Sequence, residues 1–598
     1  MKQIVDVIVI GAGPVGLFCA YLLIKAGHSV YLLDKKEGPT EQSRAFNITP
    51  RSLEILQHHG LAYRILQQAI SIRGALLYVN GSIIGDVFFE EVDCVFPQLT
   101  SLGQSSVERI IIEEIEKLQG KVAWQTELIS YEQLGDQVVA QVKDHTNGEA
   151  KEISAKYIVG ADGCHSKVRK QNPTWTYEGH SIKSQFALAD LVLEGPDIAR
   201  IRNRQVVFYH SRGGCILIPL PHHGTEDQIT LRMVANVGSY ETDDGPRVTH
   251  GVDNPREILT LDKVKELLDK RTEGLRVTIK KSLWLTYFNV NERIANGFRR
   301  DRAFLIGDAA HCHSPAGGQG MNIGFQDAEN LAWKLSLALK GESSDPEKLL
   351  DSFTIEREPM VKSVMTTAGT LSRVLLADTY VMGVIRYVAI SAAFNIPAIR
   401  RNMVNRLLQI DFKLGESPIL AQPGTNQHTL LQHGQFLKDT RVLLNKDVAQ
   451  KVDRKTIYQI MESLNDKHMV FWVITRQTWQ HQPETDLTNA FIDGISSFKS
   501  CRGVVFQSIT QFARYNDDKR SNNKVDHWID THTMSSTDSL SSRLGYTTYL
   551  AASKSVTPAA ALVILRPDRY VAYSSLVSTH VELDQAFAFL NSYLLRNK

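Results

Sequence analysis

The sequence predicts an α/β fold: a parallel-sheet domain split by an inserted mixed sheet and followed by a separate C-terminal domain. Three observations carry this. At the N-terminus a strand, a glycine-rich turn, a helix, a second strand and an acid follow in order. Far downstream a second strand-to-glycine turn, Ile306-Gly307-Asp308-Ala309-Ala310-His311, runs on into Pro315-Ala316-Gly317-Gly318-Gln319-Gly320-Met321-Asn322. Between them, residues 186–285 change to alternating apolar and polar segments.

Taken in order, Val5 to Ile10 reads as a buried strand. Gly11-Ala12-Gly13-Pro14-Val15-Gly16 follows, then an apolar helix from Pro14 to Lys25. His28 to Leu33 is the second strand, ending at Asp34. Gly11 permits the tight turn, Gly13 lets a pyrophosphate approach the backbone, and Gly16 lets helix and strand pack closely. Asp34 can accept from a ribose hydroxyl pair, a charged bond contributing roughly 1.5–3 kcal/mol. A polar loop then carries Ser43-Arg44-Ala45, and Arg51 to Leu56 has helical spacing. Ala75 to Val79 and Val87 to Phe89 read as short strands. Gln104 precedes an amphipathic helix, Val107 to Leu118. Val122 to Trp124, Leu128 to Tyr131 and Val138 to Val142 read as strands, with Asn147-Gly148 as a hairpin turn. Tyr157 to Val159 is a strand ending in Gly160-Ala161-Asp162-Gly163.

The insert has strands at Arg204 to Tyr209, Cys215 to Pro219 and Ile229 to Ala235, and a helix at Lys263 to Lys270. Its expected role is to wall off the reacting end of a cofactor. Ala303 to Ile306 is a strand ending at a carboxylate, and the helix start beyond it offers unpaired amides to electron-rich ligand atoms. A long helix follows Met321 to Leu339, and helical pattern returns from Leu349 to Leu414. Pro423-Gly424 marks a linker. The last domain has strands at Met469 to Ile474, Gly503 to Phe506 and Leu562 to Leu565. The segment from Asn522 to Ser542, rich in Ser, Thr and Asn, reads as a long surface loop. No internal repeat is visible.

The chain has 598 residues with a formal net charge of +2, which argues against a nucleic-acid binder or a polybasic membrane anchor. Six scattered cysteines form no CxxC pair, so neither a zinc site nor a redox dithiol is expected, and a reducing cytoplasm suits them. Met1-Lys2 leads straight into a strand, without the apolar core of a signal peptide. The longest apolar stretch, Tyr380 to Ile396, is interrupted by Arg386 and Asn395 and reads as a buried helix, too polar to span a membrane. His311 and His313 flank Cys312 in a tight turn with no partner at helical spacing, so no metal is expected.

Four signatures therefore stand in one order: Gly11 to Gly16 with Asp34, Ser43-Arg44-Ala45, Gly160-Ala161-Asp162-Gly163-Cys164-His165-Ser166, and Gly307-Asp308-Ala309-Ala310-His311. Together they resemble the flavin-dependent aromatic hydroxylases, the single-component monooxygenases related to para-hydroxybenzoate hydroxylase and phenol hydroxylase. The resemblance runs from the N-terminus to about residue 410. The final domain resembles the thioredoxin-like C-terminal domain of the phenol hydroxylase branch, through Ala561-Leu562-Val563-Ile564-Leu565-Arg566-Pro567-Asp568 and Val571-Ala572. Lacking a CxxC, it reads as a structural or dimerisation module, which would support a homodimer.

The resemblance implies a discontinuous Rossmann-like FAD-binding domain of GR2 type at 1–70, 100–182 and 283–360. It places a substrate-binding domain at 71–99 and 183–282, a helical segment at 361–420 and the thioredoxin-like domain at 421–598. FAD would lie extended, its adenosine by Asp34 and its pyrophosphate over Gly11, Gly13, Pro14, Val15 and Gly16. Arg44 would reach the pyrophosphate, Gln104 the flavin, and Asp308 the ribityl chain. Lys35 and Leu128 complete this set. Pro315, Gly318, Gly320, Met321 and Asn322 would lie against the ring, where a helix start stabilises negative charge on reduced flavin. Asp162 and Gly163 match a motif linked to both FAD and the nicotinamide donor.

The implied reaction is reduction of FAD by transiently bound NADPH or NADH, then hydroxylation of a phenolic or polycyclic aromatic substrate by O2 through a flavin C4a-hydroperoxide. Phenol hydroxylase relatives place an aspartate near the position of Phe46; this chain has Phe46-Asn47, which looks more like the branch acting on larger polycyclic phenols. Candidate pocket residues are Phe46, Asn47, Tyr209, His210, Arg232, Tyr287 and Pro315. Two alternatives stay open: a flavoprotein reductase or dehydrogenase without hydroxylation, and a non-catalytic FAD-binding interaction protein. A halogenase would show a WxWxIP motif, which the sequence lacks.

Overall fold

The computed structural model describes residues 3–40, 45–210, 213–221, 225–239, 258–312, 318–376, 392, 394–422, 430–446, 452–463, 467–474, 483–508, 525–530, 537–546 and 560–597. The chain divides into two compact units. One comprises Met1–Gln57, Leu61–Ala328 and Val361–Ile410, the other His58–Gly60, Glu329–Met360 and Asp411–Lys598.

The first unit is built on a sheet whose five parallel strands run Ala303–Leu305, Ala150–Gly160, Gln3–Ile10, Val30–Leu33, Val122–Ala123. Val7, Ile8 and Val9 are fully buried, which is why this strand reads as a continuous apolar run rather than an alternating one. The helix Pro14–Lys25 begins where expected: Gly13 is its N-cap and Pro14 opens it, where a missing N–H costs nothing. Thr126–Leu134 and Gln137–Asp144 extend the sheet as an antiparallel hairpin beside Ala150–Gly160.

The insert forms a second sheet of eight strands. Their order is His311–Cys312, Thr278–Ala295, Tyr177–Glu194, Gln228–Ser239, Gly213–Pro219, Arg204–His210, Gly74–Val79, Ser82–Phe88. Its two longest strands, Tyr177–Glu194 and Thr278–Ala295, were not read from the sequence. One face packs Ala187, Ala189, Leu191, Phe208 and Met233 into a core with Ile198, Ile201, Val264 and Leu267. The other face presents Phe186, Leu188, Val234, Trp284 and Phe288. A small sheet of Asn47–Ile48, Leu99–Ser101 and Ile70–Ile72 adjoins it, with the Ser101 hydroxyl donating to Pro219 O at 2.7 Å.

The second unit holds a seven-stranded sheet in the order Val452–Lys455, Leu443–Lys446, Val525–Asp530, Cys501–Ser508, His468–Ile474, Ala560–Leu565, Val571–Val577. Val525–Asp530, Cys501–Ser508 and His468–Ile474 are parallel; Ala560–Leu565 and Val571–Val577 are each antiparallel to their neighbours. The reading of Asn522 to Ser542 as one loop is overturned. Val525–Asp530 is an interior strand and Leu540–Arg543 a short helix. Val525, Trp528 and Ile529 supply the buried side chains. The polar Asp526 that masked the signal bonds to Arg502 on the neighbouring strand, Nη2 to Oδ1 at 3.0 Å.

The heart of this unit is ionic. Arg566, Glu356, Lys334 and Asp568 are all buried. Arg566 donates to both Glu356 oxygens at 2.6 and 2.9 Å, and Asp568 takes Arg566 Nε at 2.9 Å and Trp333 Nε1 at 3.1 Å. Lys334 Nζ and Ser417 Oγ complete Glu356 at 2.8 and 2.7 Å. Burial alone would raise the Glu356 carboxyl; the Arg566 and Lys334 charges outweigh it and hold the group below the usual carboxylate range.

Helices Pro346–Leu376 and Pro397–Leu407 match part of the predicted helical stretch. Pro423-Gly424 and most of Tyr380 to Ile396 lie outside the described residues. Among the described residues no helix is long and apolar enough to cross a membrane.

Candidate functional site

Four of the turns singled out from the sequence lie at the carboxyl ends of four adjacent parallel strands. Gly11 follows Gln3–Ile10, Asp34 follows Val30–Leu33, Ala161-Asp162-Gly163 follows Ala150–Gly160, and Gly307-Asp308 comes just beyond Ala303–Leu305. The turns are laced together: Gly11 N donates to Leu33 O at 2.8 Å, Ala161 N to Ile10 O at 2.8 Å and Ile306 N to Gly160 O at 3.0 Å. This edge of a parallel sheet is where ligands bind in open α/β folds.

The glycines of the first turn differ in what surrounds them. Gly11 has φ +103°, and a Cβ there would meet Ala161 O at 2.4 Å. A Cβ on Gly16 would meet Gly11 O at 1.9 Å, so helix and turn touch. A Cβ on Gly13 would meet nothing within 4 Å. Only Gly13 faces open space, at the start of a helix with no acidic residue in its first turn. Helix-start amides and their partial positive charge there suit a phosphate.

Val15 joins this turn to the distant one. A Cβ on Gly307 would meet Val15 at 3.3 Å, and one on Gly324 would meet it at 2.3 Å. The second turn is clamped by Asp327, whose Oδ2 accepts from Gly307 N at 3.1 Å and lies 2.6 Å from His311 Nε2. His311 thus has a buried carboxylate partner, and among the described residues no group of His, Cys, Asp or Glu could hold a metal. Asp308 is exposed while Gly307 and Ala309 are buried, so its carboxylate projects from the turn. The helix Gly320–Leu339 begins its own bonds at Ile323 N to Gln319 O, which leaves the amides of Gly320, Met321 and Asn322 ahead of the first intrahelical bond.

Several expected contacts have protein partners of their own. Asp34 Oδ2 accepts from Ala12 N at 2.8 Å and Oδ1 from Lys36 N at 2.9 Å; a carboxylate has roughly four acceptor sites, so capacity for a ribose remains. Lys35 is exposed and Leu128 buried. Asp162 Oδ2 accepts from Lys167 N at 2.6 Å, capping the helix Lys167–Gln171, whereas its Oδ1 is buried without a hydrogen-bond partner. Burial raises the Asp162 carboxyl against the hydrogen bonds from Ser166 and Lys167. Gln104 Nε2 donates to Glu108 at 2.8 Å, and Glu108 in turn accepts from Thr40 N at 2.8 Å. Burial raises the Glu108 carboxyl. Asn322 braces the segment beside the site: its Nδ2 donates to Asn47 O at 2.9 Å, and its Oδ1 accepts from Thr49 N at 2.9 Å.

Of the pocket candidates, Phe46 and Arg232 come together, the guanidinium 4.8 Å from the ring. Asn47 is buried and its Oδ1 has no hydrogen-bond partner. Tyr209 alternates with core-facing Phe208 and so stands on the opposite face of the insert sheet, whereas Tyr287 packs against the core beneath it. Arg44, Pro315 and His313 lie outside the described residues, as does the side chain of His210. Arg169, Asp327, Glu108 and Gly324 were missed. Arg169 donates to Ala309 O and Cys164 O, bracing two turns at once. Its one sequence signal is its place in the short helix just after the Asp162-Gly163 motif.

The residues fit FAD: open space beside Gly13 for the pyrophosphate, a projecting carboxylate at Asp308 and spare acceptors at Asp34 and Asp162. Comparison with known proteins agrees. The FAD binding domain family matches residues 4–368, more than half of the chain. The chain is 29% identical over 405 residues to 6-methylpretetramide 4-monooxygenase of Streptomyces rimosus, covering 67% of this chain and 68% of that protein. It is 31% identical over 369 residues to rifampicin monooxygenase of Rhodococcus hoagii, covering 60% and 69%. Its fold is similar to that of the anhydrotetracycline hydroxylase OxyS of Streptomyces rimosus, with a TM-score of 0.67 over 99% of both chains at 21% identity. The chain belongs to the FAD binding domain family, among its FAD-dependent aromatic monooxygenases.

Proposed function

We propose that this protein hydroxylates a phenolic or polycyclic aromatic compound, with NADPH or NADH as transient electron donor, O2 as oxidant and FAD as resident cofactor. The observation that carries the reading is the meeting of three of the four signatures at one sheet edge, with open space beside Gly13. FAD, when bound, supplies hydride acceptance and oxygen activation, chemistry that amino-acid side chains lack.

The chain's own residues do the rest. The amides opening the helix Pro14–Lys25 hold the pyrophosphate, with Arg44 as its counter-charge; Asp34 holds the ribose and Asp308 the ribityl chain. The amides of Gly320, Met321 and Asn322 stabilise negative charge at the ring. Gln104 braces the backbone at Thr40 through Glu108. The apolar face of the insert sheet excludes water from the reacting centre. Residues 71–99 and 183–282 form the substrate domain. Residues 421–598 form a thioredoxin-like module without redox chemistry. The strand order of Val571–Val577, Ala560–Leu565, His468–Ile474 and Cys501–Ser508 supports that, as does the absence of any CxxC. Six free cysteines suit a cytoplasmic enzyme.

The test is direct. Purified protein should be yellow, release FAD on denaturation, and oxidise NADPH faster with a cognate phenol, with matching formation of hydroxylated product. A colourless chain that cannot be reconstituted with FAD overturns the reading.

A further inference from the structure

One charged row crosses the largely apolar face of the insert sheet that carries Leu188, Val234 and Phe288. Ile218, Arg232, Asp190 and Trp284 are neighbours in register on four adjacent strands. Arg232 is 1% exposed. Its Nε donates to Asp190 Oδ1 at 2.7 Å and its Nη2 to Asp190 Oδ2 at 2.8 Å, a fork-to-fork pair. The guanidinium lies over two rings, 4.8 Å from Phe46 and 4.9 Å from Trp284. Phe46 precedes Asn47, whose carbonyl is held by Asn322 at the helix start assigned to the flavin ring. The pair is thus linked to that helix start through Phe46 and Asn47. Around it are Leu188, Val234 and Phe288.

A buried guanidinium beside an aromatic site is the group an aromatic carboxylate needs. Here a resident carboxylate already occupies one edge of it. The charge of Arg232 is cancelled within the row, and a second anion brought to it would meet Asp190.

We propose that Asp190 sets the charge class of the substrate: by neutralising Arg232 it admits uncharged hydroxyaromatics and rejects aromatic carboxylates. This rests on the function proposed above. The measurement is equilibrium dialysis of the FAD-loaded protein at neutral pH with two probes, 2-naphthol and 6-hydroxy-2-naphthoate. The wild type should prefer the naphthol by about tenfold or more, and Asp190→Asn should shift that ratio towards the carboxylate by about tenfold or more. Asp190→Ser serves the same comparison if the Asn variant does not fold. Equal binding of both probes by the wild type overturns the proposal without any variant, and so does an unchanged ratio in a folded, FAD-loaded variant. A wild type that holds no FAD and binds neither probe instead defeats the underlying function.

Discussion

Gly13 and Gly494 both belong to helix–strand units, yet they leave room for different things. A Cβ on Gly13 would meet no atom within 4 Å. A Cβ on Gly494, in the helix Pro483–Ile495, would meet the Phe587 ring at 2.3 Å. Gly503 is filled in the same way by Val525 and Ile495. The charges follow suit. In the first unit Asp308 projects from its turn and Asp162 Oδ1 has no hydrogen-bond partner. In the second unit both oxygens of Glu356 and of Asp568 are engaged by protein donors. At the turn, room and a spare acceptor occur together and suit a ligand; in the Glu356–Asp568 network the acceptors are used up by the protein itself, as buried polar atoms usually are.

The sharpest way to break that contrast is Gly13→Val. The branched side chain takes the space meant for the pyrophosphate, and FAD retention should be lost entirely, read as visible absorbance per protein. A yellow variant with one FAD per chain would remove Gly13 from the site. Next in size is Glu356→Gln in the ionic network of the second unit. It leaves Lys334 without its carboxylate partner while Arg566 keeps Asp568, and unfolding free energy should fall by about 3–5 kcal/mol in a denaturant titration, with FAD still bound to the folded fraction. A loss of under about 1 kcal/mol would mean the network is not what holds that unit together. Asp308→Ala is the mildest. FAD affinity should weaken by about 1.5–3 kcal/mol when the apoprotein is titrated with FAD. Unchanged affinity would show that the projecting carboxylate does not meet the ribityl chain.

Where local chemistry decides the structure, the sequence was enough. The helix Pro14–Lys25 was legible to the residue, since Pro14 suits the first position of a helix, where its missing N–H costs nothing. Gly11 is read as a turn because φ +103° is closed to most other residues. Where partners come from afar, the sequence was silent. Val525–Asp530 looked like loop because its flanks are polar; its place inside a sheet depends on Cys501–Ser508 pairing with it. Asp327 carries no motif, and its hold on Gly307 and His311 exists only once the helix has folded back on the turn.

The sequence by itself determined the cofactor class and located the turns proposed to hold it, because backbone sterics and helix-start amides are properties of a few consecutive residues. Only the tertiary structure decided that Val15 packs between Gly307 and Gly324, and that Arg232 is neutralised by Asp190 over Phe46 and Trp284. Packing and charge compensation depend on distances between segments far apart in the chain, and no local pattern encodes them.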